Sequence, residues 1–506
     1  MILTKIHIPA PARNMVHREN LLNKLNEGLN RKLTLISAPA GFGKTTLVSD
    51  WINQHHIPAT WFSLDKSDND PAEFLNYIIA GIQNIHPVFG QNTIKLVNSP
   101  NKPSNQSILS LFINEVIQIP MNFLLVLDDF HLIENKEITE IMGFLLEHIP
   151  NNIHIVILTR SDPAIPVSRL RSHNQLVEIR SSDLSFSAND ISILFNKKLK
   201  LNLTVDDVCS LKIKTEGWIA GLQLSAISMQ GCEDISAFIS NLKGDNRYIM
   251  DYLIEEVLKI QTDELKEFLL QTSILEQMTA PLCNAVLNRD DSQSILETLE
   301  KNNMFVIPLD DKRTWFRYHH LFAGLLKQRL LYKGDNAVND LHNRACDWFE
   351  QNKMFSQAIE HALENKNFEK TIQLLNKIVK NLWENGMHSA IIKYGDLLPE
   401  KLIKSYPEFC LYYAWVLISA GKLQNVSLLL ESAENITITR FNEKKISEKD
   451  LDSIKQLTGK IFVAQAYLNS IEEHPDKILE YCAKAKEFLP QKDRKSTRLN
   501  SSHRIR

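Results

Sequence analysis

The sequence predicts a multidomain α/β-plus-α chain, in which a parallel-sheet domain is followed by domains made almost wholly of helix. Three observations carry this. Residues Leu33–Gln54 pass from an apolar run with a β-branched character (Leu33–Ile36) through Gly41 and Gly43 into an amphipathic helix bearing Leu47, Val48 and Trp51. Residues Phe123–Leu127 form a second apolar strand, closed by the paired acids Asp128 and Asp129. Beyond residue 180 the composition changes, and helical periodicity takes over to the end.

The first element is the most informative. Strand, glycine loop, Lys44-Thr45 and helix, in that order, make a phosphate-binding loop. Its backbone N–H groups and the positive helix end wrap phosphates, Lys44 reaches the β/γ oxygens, and Thr45 carries a magnesium ion. Gly41, Gly43 and Thr46 complete the loop. One position departs from the strict pattern: Ala38 stands where the first glycine is usual, and it would be strained if that position needed positive φ. The bland reading is a glycine turn with an incidental lysine; the flanking strand and helix favour the phosphate loop.

The paired acids follow from the sheet. Ligands bind at the carboxyl ends of strands in open α/β sheets, so Asp128 is assigned to the Mg²⁺ shell and Asp129 to polarising the attacking water. A solvated turn is the alternative. The next strand, Ile153–Leu158, ends in Thr159-Arg160, and Arg160 is placed to read the γ-phosphate state or simply to face solvent. Strands at 60–64 and 176–179 complete the sheet. Helices are expected at 72–82 and 108–117, and the Asn- and Pro-rich stretch 88–106 reads as a surface loop.

Ser187–Asp190 is a capping box that opens the helical part. Phe305–Leu309 and Trp315–Tyr318 read as a hairpin after helices, hence a winged helix. From Leu341 small residues recur where helices would cross (Ala345, Ala358, Ala362, Ala414, Gly421, Ala433, Ala464, Ala483), which suits tetratricopeptide-like pairs without a strict 34-residue period. The expected domains are 1–180, nucleotide-binding; 181–245, small helical; 246–337, winged-helix-like; and 338–491, helical repeats. Residues 492–506 are basic and read as the translation of a sequencing-library adapter, so they are set aside as an artefactual tail, with the natural sequence expected to continue beyond Gln491.

At 506 residues, 44% hydrophobic and 23% charged, the composition is that of an ordinary globular protein. A net charge of −3 argues against nucleic-acid binding by the whole surface. No apolar run reaches membrane-spanning length, and the start shows no signal-peptide pattern, so a cytoplasmic chain without membrane contact is expected. The six cysteines lie far apart with no C-x-x-C pair, which favours buried thiols over disulfides or metal.

Taken together, these motifs resemble the ATP-dependent LuxR-type (MalT-like) transcriptional activators, among the signal-transduction ATPases with numerous domains (STAND). SAPAGFGKTTL (37–47) is similar to the family's loop, including the small residue at Ala38; LLVLDDFH (124–131) to its Walker B strand; and VILTR (156–160) to its arginine-ended strand. GWIAGLQL (217–224) resembles the helical-domain segment, with Trp218 where many relatives in the wider superfamily carry proline. VHRENLLNKL (16–25) resembles the adenine-side entry motif, which makes Arg18 a nucleotide contact. FRYHHLF (316–322) resembles the winged-helix segment whose histidine touches ADP phosphates in the closed state, a role that falls on His319.

The resemblance implies a switch with ATP/ADP and Mg²⁺ as cofactors and slow regulatory hydrolysis. It implies closure on ADP, an unknown small-molecule or protein inducer at the repeats, self-association when ATP-bound, and DNA contact only through a C-terminal helix-turn-helix beyond this chain. Two other readings stay open: a continuously cycling P-loop ATPase or kinase on a helical scaffold, and a repeat scaffold with a vestigial site.

Overall fold

The computed structural model describes residues 1–10, 15–99, 103–230, 232, 234–242, 246–442 and 447–489. The tail set aside on sequence grounds therefore lies outside the described residues. The chain divides into two compact units, Met1–Lys333 and a second that starts at Gly334.

The first unit is built on five parallel strands: β1 (Leu33–Ser37), β2 (Ala59–Ser63), β3 (Phe123–Asp128), β4 (Ile153–Thr159) and β5 (Leu176–Arg180), in the order β2-β3-β4-β1-β5. Registers such as Ile36↔Leu158 and Ser63↔Asp128 bring the carboxyl ends together along one edge. β1, β3 and β4 are buried at every residue, which explains their unbroken apolar runs in place of alternation. Helices Pro71–Gln83, Asn105–Ile117 and Lys136–His148 supply much of the surrounding core through Phe74, Ile78, Phe112 and Ile141.

The stretch 88–106 is corrected by the structure. It contains the helix Gln91–Val97, started by Gly90 in the left-handed region (φ 73°) and anchored by buried Thr93 and Val97. Asparagine and proline around it masked so short a helix. The capping box at Ser187 forms as expected, its Oγ accepting from Asp190 N at 3.1 Å.

Beyond the sheet, the unit continues as helices to the hairpin β6 (Val306–Pro308) and β7 (Phe316–Tyr318), antiparallel with Val306 opposite Tyr318. The helix His320–Leu331 follows. The second unit consists of successive helices, including Asp335–Gln351, Phe355–Glu364, Phe368–Glu384, His388–Leu397, Pro407–Ser419, Val426–Phe441, Glu448–Ile471 and Pro475–Phe488. Its small residues Ala345, Ala358, Ala362, Ala414, Ala433 and Ala464 are buried, as close helix crossings require, whereas Gly421 and Ala483 are exposed and mark no crossing. Cys283, Cys346 and Cys410 are buried free thiols; Cys209, Cys232 and Cys482 are exposed, contrary to the expectation from spacing alone.

Candidate functional site

The turn after β1 shows why two glycines stand there. Gly41 and Gly43 take φ of 74° and 80°, whereas Ala38 is not among the left-handed residues, so alanine carries no strain at that position. A Cβ at Gly41 would come within 2.5 Å of Ala220 Cβ, 2.8 Å of the Tyr252 hydroxyl and 2.9 Å of the Trp218 indole nitrogen. Gly43 is the N-cap of the helix Lys44–His55, so the positive end of that helix opens directly from the loop.

Lys44, Thr45 and Asp128 meet at that end. The Thr45 hydroxyl donates to Asp128 Oδ2 at 2.9 Å, and Lys44 Nζ donates to the carbonyls of Ala38 and Pro39 at 2.8 and 3.0 Å. Burial, with Arg160 nearby, lowers the Lys44 pKa to about 8, against the pull of Asp129 and Asp128. Burial and the neighbouring Asp129 raise Asp128 to about 6, against its bond from Thr45. A hydroxyl and a carboxylate joined in this way form an oxygen donor set that fits a small hard cation sharing its shell with phosphate. Asp129 is the more exposed acid; its left-handed backbone (φ 55°) turns the chain out of β3, and its N–H donates to Asp128 Oδ1 at 2.9 Å.

His131 belongs to the same cluster, although sequence reasoning did not single it out. Its Nδ1 lies 3.8 Å from Asp129 Oδ1 and has no hydrogen bond among the described residues. Burial, then Arg160 and Lys44, hold its pKa down to about 3, so the ring is neutral. Arg160 reaches this cluster electrostatically, but its guanidinium is paired with Glu256 at 3.0 Å.

On the other side of the loop a cavity of about 670 Å³ opens, lined by Gly41, Gly43 and Thr46 at one end and by Val16, Arg18 and Phe186 among its walls. Its size is in the range of ordinary ligand sites. Arg18 faces it over the Phe186 ring (5.1 Å), yet its guanidinium donates to the carbonyls of Asp183, Leu184 and Ser185. Arg18 thus ties the strand-to-helix junction to the cavity rim.

His319 is not in the cavity wall. It is buried at 3% exposure, with Nε2 2.9 Å from the Thr215 carbonyl and its ring edge-on to Trp218 and Phe305. Nδ1 is buried without a partner among the described residues, and burial lowers the pKa to about 4, against the pull of Glu216. Trp218 stands between this histidine and the loop: its indole donates to the Ala40 carbonyl at 3.0 Å, while the Ala220 N–H donates to the Gly41 carbonyl at 3.1 Å. The structure therefore brings Gly41, Gly43, Lys44, Thr45, Thr46, Asp128, Asp129 and Arg160 to one strand-end region. Arg18 lies at the cavity and His319 behind Trp218.

A model of the MalT winged helix domain matches residues 254–338. The HTH-type transcriptional regulator MalT of Vibrio parahaemolyticus serotype O3:K6 is 30% identical over 488 residues, 95% of this chain and 52% of that protein. The chain is homologous to the MalT regulators. It spans about half the length of the MalT relatives it matches. The serine/threonine-protein kinase PknK of Mycobacterium tuberculosis (strain ATCC 25618 / H37Rv) is also 30% identical, over 81% of this chain and 37% of its own length. Among solved structures, the Walker-type ATPase paby2304 of Pyrococcus abyssi covers 63% of this chain and 98% of its own, at 14% identity and a TM-score of 0.46. Among the described residues no helix is long and apolar enough to cross a membrane.

Proposed function

We propose that this MalT homologue is a nucleotide-gated switch of a transcriptional regulator, closed with ADP and opened with ATP. The observation that carries the reading is the fastening of later segments onto the phosphate loop. Trp218 and Ala220 bind the carbonyls of Ala40 and Gly41, and Glu256 holds Arg160. Whatever changes the loop's ligand therefore changes the attachment of the helical and winged-helix segments.

In this reading Lys44 holds phosphate oxygens by its ammonium, and the joined Thr45 hydroxyl and Asp128 carboxylate hold Mg²⁺. When bound, the ion neutralises charge on the transferring phosphoryl group. Asp129 accepts a proton from water, and slow turnover resets the switch. The apolar cavity at Val16 and Phe186 takes the base, and Arg18 shapes its rim. His319 is assigned to the closed form on the family resemblance alone: its Nε2 faces a carbonyl and so carries the proton, and the neutral ring presents Nδ1 as an acceptor, so a phosphate contact needs both Trp218 moved aside and the ring charged. The helical repeats take an inducer, the ATP form self-associates, and DNA is contacted through a helix-turn-helix outside these 506 residues.

Purification followed by nucleotide extraction and sedimentation tests the reading. ADP should co-purify, a non-hydrolysable ATP analogue with Mg²⁺ and inducer should raise the sedimenting mass, and Lys44→Ala should carry no nucleotide. A wild type that releases its nucleotide freely and turns over ATP continuously would support the cycling ATPase instead.

A further inference from the structure

We propose that the Tyr252 hydroxyl is a further phosphate-end contact, a neutral donor to a nucleoside di- or triphosphate supplied by the helix Arg247–Leu253. The proposal rests on the nucleotide reading of the loop. Tyr252 lines the cavity together with Gly43 and Thr46, and its hydroxyl lies 2.8 Å from where a Cβ of Gly41 would stand. Its ring leans on Trp218 at a centroid distance of 5.6 Å, which fixes its direction. No described residue accepts a hydrogen bond from the hydroxyl, although the side chain is half-buried.

The chemistry suits an anion. Burial, with Glu256 nearby, raises the phenol's pKa, so the group remains an O–H donor at neutral pH. A donor without a partner among the described residues, beside the N-cap of the helix that follows the loop, gains most from a charged acceptor. Tyr252 also lies four residues before Glu256, the partner of Arg160. This short segment therefore reaches the loop end of the cavity with one side chain and the γ-side arginine with the other.

The test uses fluorescent mant-ADP and mant-adenosine on the whole chain, comparing wild type, Tyr252→Phe and Lys44→Ala. Tyr252→Phe keeps the ring against Trp218 and removes only the hydroxyl. It should weaken ADP about five- to tenfold and leave adenosine affinity and the melting temperature of the nucleotide-free protein unchanged. The ratio of ADP to adenosine affinity is internal to each variant, so a general loss of folding cancels from it. An unchanged ratio in Tyr252→Phe overturns the proposal while the loop reading stands. ADP binding to Lys44→Ala at wild-type strength overturns the loop reading itself.

Discussion

Arg160, at the end of β4, donates to Glu256 twice: to the carboxylate at 3.0 Å and to the backbone carbonyl at 3.4 Å. The carbonyl of Arg160 in turn accepts from Asn303 Nδ2 at 2.9 Å, and the same amide donates to Ser37 Oγ at 3.0 Å. The strand-end arginine is thus held from both sides by residues at or beyond position 256. A γ-phosphate and Glu256 would compete for one guanidinium.

Glu256→Gln is expected to release Arg160 toward the nucleotide. The pair is partly exposed (30% and 42%), so its own stabilisation is modest and the fold should survive. The ratio of ATP to ADP affinity should rise about three- to tenfold, since freeing one charge partner biases a two-state balance by about a kcal/mol. Isothermal titration with both nucleotides measures it; an unaltered ratio would mean that the pair is ornamental to the switch.

Asp129→Asn should separate binding from hydrolysis. Thr45 and Asp128 remain joined, so Mg²⁺-ATP still binds, while the proton acceptor is lost. Single-turnover hydrolysis should slow by about 10²-fold or more, with ATP affinity within a factor of about two of wild type. Hydrolysis at the wild-type rate would move the base elsewhere, with His131 the first residue to try.

Acid should destabilise the first unit through histidines that are buried neutral. His319 and His154 each fall to about 4, in both cases chiefly by burial. The unfolded chain, with histidine near its ordinary value, then binds more protons than the native one between pH 6.5 and 4. Stability is complete above the unfolded value and is lost as pH falls through that window. Around His319, Glu216 favours the charged ring and His320 and Arg317 oppose it. The full loss is on the order of 3 kcal/mol per histidine. Melting curves from pH 7.5 to 4.5 should show it, with a shallower slope in His319→Gln; equal slopes would place the acid sensitivity elsewhere.

Gly41→Ala should damage the loop without touching its charges. The residue combines φ of 74° with neighbours at 2.5–2.9 Å from any added Cβ, so the methyl group must displace Ala220, Tyr252 or Trp218. A cost of about 1–3 kcal/mol is expected. Thermal unfolding without nucleotide reports it, and a melting temperature equal to wild type would mean that the later segments do not press on the loop as described.

The sheet and the loop were legible because their signals are local. β3 is six buried residues in a row, and strand, turn and helix at 33–55 follow one another in sequence. Pairs such as Thr45 with Asp128 could be anticipated from strand-end position alone. The hairpin was visible from its two apolar runs and intervening turn. What sequence did not disclose are the contacts that close the site from afar. Glu256 meets Arg160 across 96 residues, Asn303 meets the same arginine across 143, and Trp218 reaches Ala40 across 178. No periodicity marks such partners. His131 follows the paired acids by two residues, but its neutrality comes from burial and two neighbouring cations that the local sequence does not reveal. For His319 the resemblance supplied a phosphate contact, whereas the fold puts an indole between that ring and the loop.

Hydrogen–deuterium exchange over residues 252–258, with Mg²⁺-ADP and then with a non-hydrolysable Mg²⁺-ATP analogue, tests the gated switch most directly. Exchange should be slow with ADP, while Glu256 holds Arg160, and clearly faster with the analogue, once Arg160 has turned to the γ-phosphate. Identical exchange in the two states, with both nucleotides shown to be bound, would contradict it.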